Sequence, residues 1–204
     1  MDNETELRDA IDKSIQNVNY FDIGMVLYVM YKHEYIVTSI KNKVWFHFKD
    51  HKWVKTEIGP YKELSTELIT KYKEELRELN KMRRKNKDKI MNCEKILSIL
   101  TDTTSKEKIC KECLYIFFDD DFITKLDKNV HLIPFINGIY DTKLAIFRNG
   151  KFDDYSSIYI NDQFENMNGD INEDMKNTIK DFNIFRNIIV SKRKNGFQFS
   201  SNKI

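Results

Sequence analysis

Nucleotide chemistry is the first class to test against the residues. The six glycines, Gly24, Gly59, Gly138, Gly150, Gly169 and Gly196, have no P-loop spacing, and none precedes Lys-Ser or Lys-Thr. A P-loop needs a glycine-rich turn that brings backbone N–H groups against the phosphates, with a lysine beside it. Nucleotide binding of that kind is excluded, and no cofactor is expected. Nor do serine, histidine, cysteine and acidic residues fall into a spacing that would build a nucleophile with its base, so no catalytic residue is expected.

Metal chemistry has weak candidates. Cys110 and Cys113 have CxxC spacing, and Cys93 and His131 would complete four soft ligands, but zinc sites usually show two close pairs. The cysteines fit helices with core-like neighbours and read as buried structural thiols. His47 and His51 lie four apart across a strand and a turn, where that spacing does not converge as it does on a helix. Asp119, Asp120 and Asp121 precede an apolar run and read as helix caps. No metal is expected.

Nucleic-acid contact is the better-supported chemistry. Lys41, Lys43, Lys49, Lys52 and Lys55 interleave with Trp45, Phe46, Phe48 and Trp53, a mixture suited to neutralising phosphates and stacking bases. The candidate nucleic-acid-binding set is Lys41, Lys43, Trp45, Lys49, Lys52 and Trp53. The plainer reading is a half-buried sheet whose lysines solvate its open face.

The elements that must position these residues follow from periodicity. Leu7, Ala10, Ile11 and Ile15 predict a helix from Glu4 to about Asn17, and a second short helix covers Gly24–Met30. From His33 to Gly59, three runs rich in β-branched and aromatic residues, broken near Lys41 and Lys49, predict an antiparallel β-meander. Leu64, Leu68, Tyr72, Leu76 and Leu79, then Ile90, Cys93, Ile96 and Leu100, predict a helical hairpin around the basic run Lys81–Lys89. Thr104 and Glu107 match a capping box for the next helix. Asn137-Gly138 and Asn149-Gly150 sit between apolar runs and predict two hairpin turns. Beyond Asn161 the chain turns acidic, then offers one amphipathic stretch, Met175–Val190, and a basic end. The fold class expected is α+β, a small antiparallel meander and two Asn-Gly hairpins packed against several helices.

Charge is segregated rather than uniform. The formal net charge is +2, yet Lys81–Lys89 holds six bases to one acid and Lys151–Asp181 holds eight acids to three bases. Local patches, not the total, would decide any polyanion binding. Three cysteines do not make a disulfide framework, no secretory pattern opens the chain, and no apolar run is long enough to span a bilayer. A soluble intracellular protein without membrane contact is expected.

Two stretches together resemble a known family. "YIVTSIKNKVWFHFKDHKWVKTEIG" and "DDDFITKLDKNVHLIPFINGIYDTKLAIFRNGKFDDYSS" are similar to the poxvirus-type primase/helicase of nucleocytoplasmic large DNA viruses, in the segment preceding its superfamily 3 helicase domain. The matching positions are Trp45, Phe48, Trp53, Phe122, Leu126, Asp127, Leu132, Phe135, Asn137, Gly138, Tyr140, Asp141, Phe147, Arg148, Gly150, Asp153, Asp154 and Tyr155. Ile139 stands where the family prefers valine. The resemblance covers about Tyr20 to Ile160.

It implies three segments: an N-terminal helix (1–19), a primase/helicase linker-type domain (20–160) and an acidic-then-basic tail (161–204). It also implies a role in DNA replication, without ATPase or unwinding activity of the chain's own because the P-loop is missing. The expected partners are single- or double-stranded DNA and a full-length primase/helicase, and the expected location, for a viral protein, is the host cytoplasm or replication factory. A truncated or split-gene product is one expectation, with Asp174–Phe182 the last family-like stretch and Asn183–Ile204 out of frame. The alternative is a protein-interaction or vestigial module without DNA binding.

Overall fold

A computed structural model describes residues 3–164 and 173–194. The chain divides into two compact units, the first built from Met1–Trp45 and Glu57–Phe118, the second from Phe46–Thr56 and Asp119–Ile204. The boundaries differ from the three segments expected from sequence. The N-terminal helix belongs to the first core, and the helix near the C-terminus belongs to the second.

In the first unit, α1 (Asn3–Asn17) and α2 (Tyr20–Tyr31) bury Ile11, Ile15, Ile23, Val26 and Leu27. Val18, at φ 49°, makes the reversal between them. Asn19 caps α2 by accepting from the Asp22 N–H at 2.8 Å, while the amides of Asn17 and Asn19 each donate to Asp22 Oδ2 at 2.7 Å. Those bonds let a buried carboxylate sit at the helix start, where the dipole favours negative charge.

The meander predicted from β-branched and aromatic runs is present as β1 (Tyr35–Ser39), β2 (Val44–Lys49) and β3 (Lys52–Thr56), in that order in one sheet. Period-2 geometry sends neighbouring side chains to opposite faces. Trp45 belongs to the core of the first unit, against Tyr35 and Phe117, and half-buried Phe46 packs on Phe122 within the second unit. Asp50 and His51, at φ 49° and 66°, form the β2–β3 turn. Two successive positive φ angles give the type I′ geometry that suits hairpin twist, here without a glycine.

A short helix, α3 (Tyr61–Ser65), precedes the helical hairpin of α4 (Glu67–Lys81) and α5 (Lys87–Thr101). Their apolar positions, Leu68, Tyr72, Leu79, Ile90, Cys93, Ile96 and Leu100, are buried at the expected spacing. The next helix, α6 (Thr103–Ile116), starts one residue before the expected capping box. Its cap is Asp102, whose carboxylate accepts from Ser105 N–H at 2.7 Å; an aspartate two residues earlier takes the N-cap role expected of Thr104.

The second unit continues through α7 (Phe122–Lys125) into β4 (Leu132–Phe135), β5 (Gly138–Asp141) and β6 (Ile146–Arg148), an antiparallel sheet in sequence order. Phe135 pairs with Gly138, so the first hairpin turn is Ile136-Asn137, one residue earlier than the expected Asn137-Gly138, and Gly138 opens β5. The second turn lies elsewhere than expected. Asp141 pairs with Ile146, which leaves Thr142–Ala145 as the loop, with Ala145 at φ 54°. Asn149-Gly150 follows β6 instead, ahead of a 3-10 turn, Phe152–Asp154.

The helix α8 (Glu173–Lys194) covers the amphipathic stretch and runs on past it. Phe182 and Ile189 bury against Ile133, Phe135, Ile158 and Ile160. Arg186, 3% exposed, donates to the carbonyls of Asn129, Val130 and Leu132 at 3.1, 3.0 and 2.7 Å. The helix continues through the break expected after Phe182, and Arg186 and Ile189 pack in the second unit. Residues 195–204 of the proposed out-of-frame tail lie outside the described residues.

Candidate nucleic-acid interface

All the family-like residues except Trp45 belong to the second unit. Arg148 grips Asp154 with both terminal nitrogens, at 2.8 and 2.7 Å, and the same carboxylate accepts from the Lys151 N–H at 2.7 Å. Hydrogen bonding to Asp154 raises the Arg148 pKa above its ordinary value, against the effect of burial. Gly150 lies against His51, where a Cβ would come within 2.6 Å of the His51 carbonyl oxygen, and its N–H donates to His51 Nδ1 at 3.1 Å. Asp127 takes the Ser157 N–H and hydroxyl, both at 2.6 Å, and the Ile158 N–H at 3.0 Å.

Asn137 and Gly138 have separate tasks. The Asn137 side chain pairs with the Phe164 backbone, donating at 3.2 Å and accepting at 3.0 Å, much as a neighbouring strand would. Phe164 stacks on Tyr140 and Phe147, with ring centroids 5.0 and 4.8 Å apart. Gly138, at φ +156°, leaves room for the Phe147 ring and the Arg148 carbonyl, which a Cβ would meet at 2.6 and 2.7 Å. The stretch around the two Asn-Gly pairs is thus held by side-chain hydrogen bonds and close ring packing.

Both tryptophans are corrected by their burial. Trp45 is 3% exposed and Trp53 1%, so neither offers a face on which a base could stack. In the first unit Trp45 lies under Gly59, whose Cβ position is 2.6 Å from the indole ring. In the second, Trp53 packs on Phe48 and Phe122, and its indole N–H donates to the Phe152 carbonyl at 2.8 Å. Sequence alternation separates two faces of a strand but does not say which of them a second layer covers.

The lysines have different placements. Lys41 and Lys43 are exposed at the β1–β2 turn of the first unit, with Lys43 at φ 50°. Lys43 also borders a cleft of about 640 Å³ walled by Trp45, Ile58, Gly59, Tyr61 and Leu114, with Lys111, Glu57 and Glu107 at its edge. In the second unit Lys49 is exposed at the β2–β3 turn, while Lys52 is half-buried with its ammonium 3.2 Å from the Tyr159 ring centre. Among the described residues, no carboxylate lies within ion-pair distance of Lys41, Lys43, Lys49 or Lys52.

Burial accounts for the thiols. It pushes Cys93 and Cys110 up to about 11, with nearby glutamates adding to the rise, and pushes Cys113 well above the ordinary value. All are protonated at neutral pH, and Cys93 Sγ donates to the Tyr72 carbonyl at 3.4 Å. Asp119, Asp120 and Asp121 have carboxylate oxygens within 4.8 Å of one another. Asp119 accepts from the Asp121 N–H at 2.9 Å and pairs with Lys125 at 3.6 Å, while Asp121 holds the N-cap position of α7 without a side-chain bond. The acidic run therefore caps itself more than the helix.

The sequence model of the family described as "D5 N terminal like" matches residues 24–184, most of the chain, and the protein belongs to that family, the primase/helicase N-terminal region of nucleocytoplasmic large DNA viruses. A relative from Acanthamoeba polyphaga mimivirus, named "Putative helicase L207/L206", is 31% identical over 150 residues, which is 69% of this chain and 16% of the relative. The chain thus matches about one sixth of that relative's length. Among the described residues no helix is long and apolar enough to cross a membrane.

Proposed function

We propose that this chain contacts DNA in a viral replication complex, as a non-catalytic relative of the primase/helicase. The observation that carries the reading is the set of exposed meander lysines, Lys41, Lys43 and Lys49, that have no carboxylate partner among the described residues, in a chain of this family. Unpaired surface ammonium groups are free to replace the counterions of a phosphate backbone. With the tryptophans buried, contact rests on charge instead of base stacking, so binding is insensitive to base sequence. The chain has no P-loop, which supports a role without ATP hydrolysis of its own, and the activity in the mimivirus relative's name is not carried over to it.

The test replaces Lys41, Lys43 and Lys49 with glutamine and follows a labelled single-stranded oligonucleotide by fluorescence anisotropy. Weakened binding with an unchanged unfolding midpoint supports the reading. Wild-type protein that binds no DNA at low salt but retains a full-length primase/helicase in a pull-down replaces it with a docking role.

A further inference from the structure

The tip of the α4–α5 hairpin, in the first unit, is a second cationic surface built from residues outside the meander. Met82, Arg83, Arg84, Lys85 and Lys87 are all exposed. Ion pairs sort the run into two groups. Lys81 pairs with Glu78 and Lys89 with Asp12, each at 2.7 Å. Among the described residues no carboxylate lies within ion-pair distance of Arg83, Arg84, Lys85 or Lys87, and Asp88 is the one acid within the run.

The tip is an ordered turn. The Met82 carbonyl accepts from the N–H groups of Lys85 and Asn86 at 3.0 and 3.2 Å. Asn86, at the N-cap position of α5, turns its amide away to donate to the Leu79 carbonyl at 3.2 Å. No side-chain hydrogen bond caps α5, a helix of 15 residues whose first turn follows Arg83, Arg84 and Lys85 directly in the chain and begins with Lys87. Helix N-termini and guanidinium groups both favour oxyanions, and guanidinium binds phosphate through paired donors. A lipid surface fits less well, because the apolar stripes of both helices, including Leu79 and Ile90, are buried in the core and leave no broad apolar face to insert.

We propose that this hairpin tip binds the phosphodiester backbone of DNA through Arg83, Arg84, Lys85 and Lys87, without reading sequence. The inference shares with the proposed function the premise of a DNA partner and places a contact on different residues.

The experiment compares wild-type protein, a tip variant (Arg83→Gln, Arg84→Gln, Lys85→Gln, Lys87→Gln) and the meander variant (Lys41→Gln, Lys43→Gln, Lys49→Gln). Binding to labelled duplex DNA and to anionic phospholipid vesicles is measured across a salt series. Each lost phosphate contact flattens the slope of log affinity against log salt by about 0.9 on duplex DNA, so the tip variant is expected to lose roughly three to four. The pair Arg83→Gln and Arg84→Gln alone should lose about two, which keeps the test usable if the larger change disturbs the turn.

An unchanged slope in the tip variant overturns the proposal. A flattened slope in the meander variant alone overturns it too, and leaves the proposed function standing. A flattened slope in the tip variant alone upholds the tip and removes the meander contact. Vesicle binding that the tip variant loses while DNA binding is unaffected assigns the surface to lipid, and absence of wild-type DNA binding at low salt overturns both readings.

Discussion

Arg148 and Asp154 form a two-pronged ion pair six residues apart, closing the turn that carries Gly150 and the 3-10 segment. Asp154 is 8% exposed at its side chain and Arg148 25%, so the pair is partly desolvated and its geometry matters. Asp154→Asn leaves a half-buried guanidinium without its charge partner and is expected to cost about 2 kcal/mol in urea unfolding. Arg148→Lys keeps the charge but loses the fork, so it should cost nearly as much. A double-mutant cycle that finds no coupling between the two positions would show that the turn closes without them.

Gly138 sits where the chain must pass under Phe147 at positive φ. A methyl group there meets a ring and a backbone carbonyl, and the carbonyl cannot rotate aside as a flexible side chain could. Gly138→Ala should therefore destabilise the second unit by about 2 kcal/mol or more. Gly24→Ala meets the flexible end of Ile116 at 2.9 Å and should be tolerated better. Thermal unfolding of the two variants side by side checks the ranking.

Asp22 makes stability depend on acid. Burial pushes its pKa up, but the amides of Asn17 and Asn19 and the charge of Lys13 outweigh that and hold it below the ordinary carboxylate value. A depressed folded-state pKa means that the unfolded chain takes up the proton first as pH falls. The stabilisation is complete at neutral pH, declines as pH drops through about 4, and is gone below the folded-state value. Urea midpoints of wild type and Asp22→Asn should differ at pH 7 and converge toward pH 3.

Much of the fold was legible because it rests on local periodicity. The aromatic and β-branched runs located the meander, and the threes and fours of leucine and isoleucine located the α4–α5 hairpin. Three features were not legible, each for a physical reason. Asn149-Gly150 has turn chemistry, but its glycine serves a close approach to His51, a contact 99 residues away in sequence. Asp50-His51 makes a type I′ turn with residues that only tertiary support holds at positive φ. Trp45 and Trp53 are burial decisions taken by two different cores, which no single strand reveals.

Of the proposed interface, sequence marks the residues but not their burial. Composition identified the meander lysines, yet half the promise of that stretch lay in the two indoles that the fold buries. Sequence marks Lys81–Lys89 as the basic run of the helical hairpin, and the ion pairs of Lys81 and Lys89 set those two apart from Arg83, Arg84, Lys85 and Lys87, which have no carboxylate partner among the described residues.

The most direct test of the account is anisotropy of a labelled single-stranded oligonucleotide with wild-type protein at low and near-physiological salt. Micromolar or tighter binding that falls steeply as salt rises is the predicted result, because each displaced counterion contributes to the slope. Binding that is absent at low salt, or that ignores salt, would contradict a DNA-contacting role.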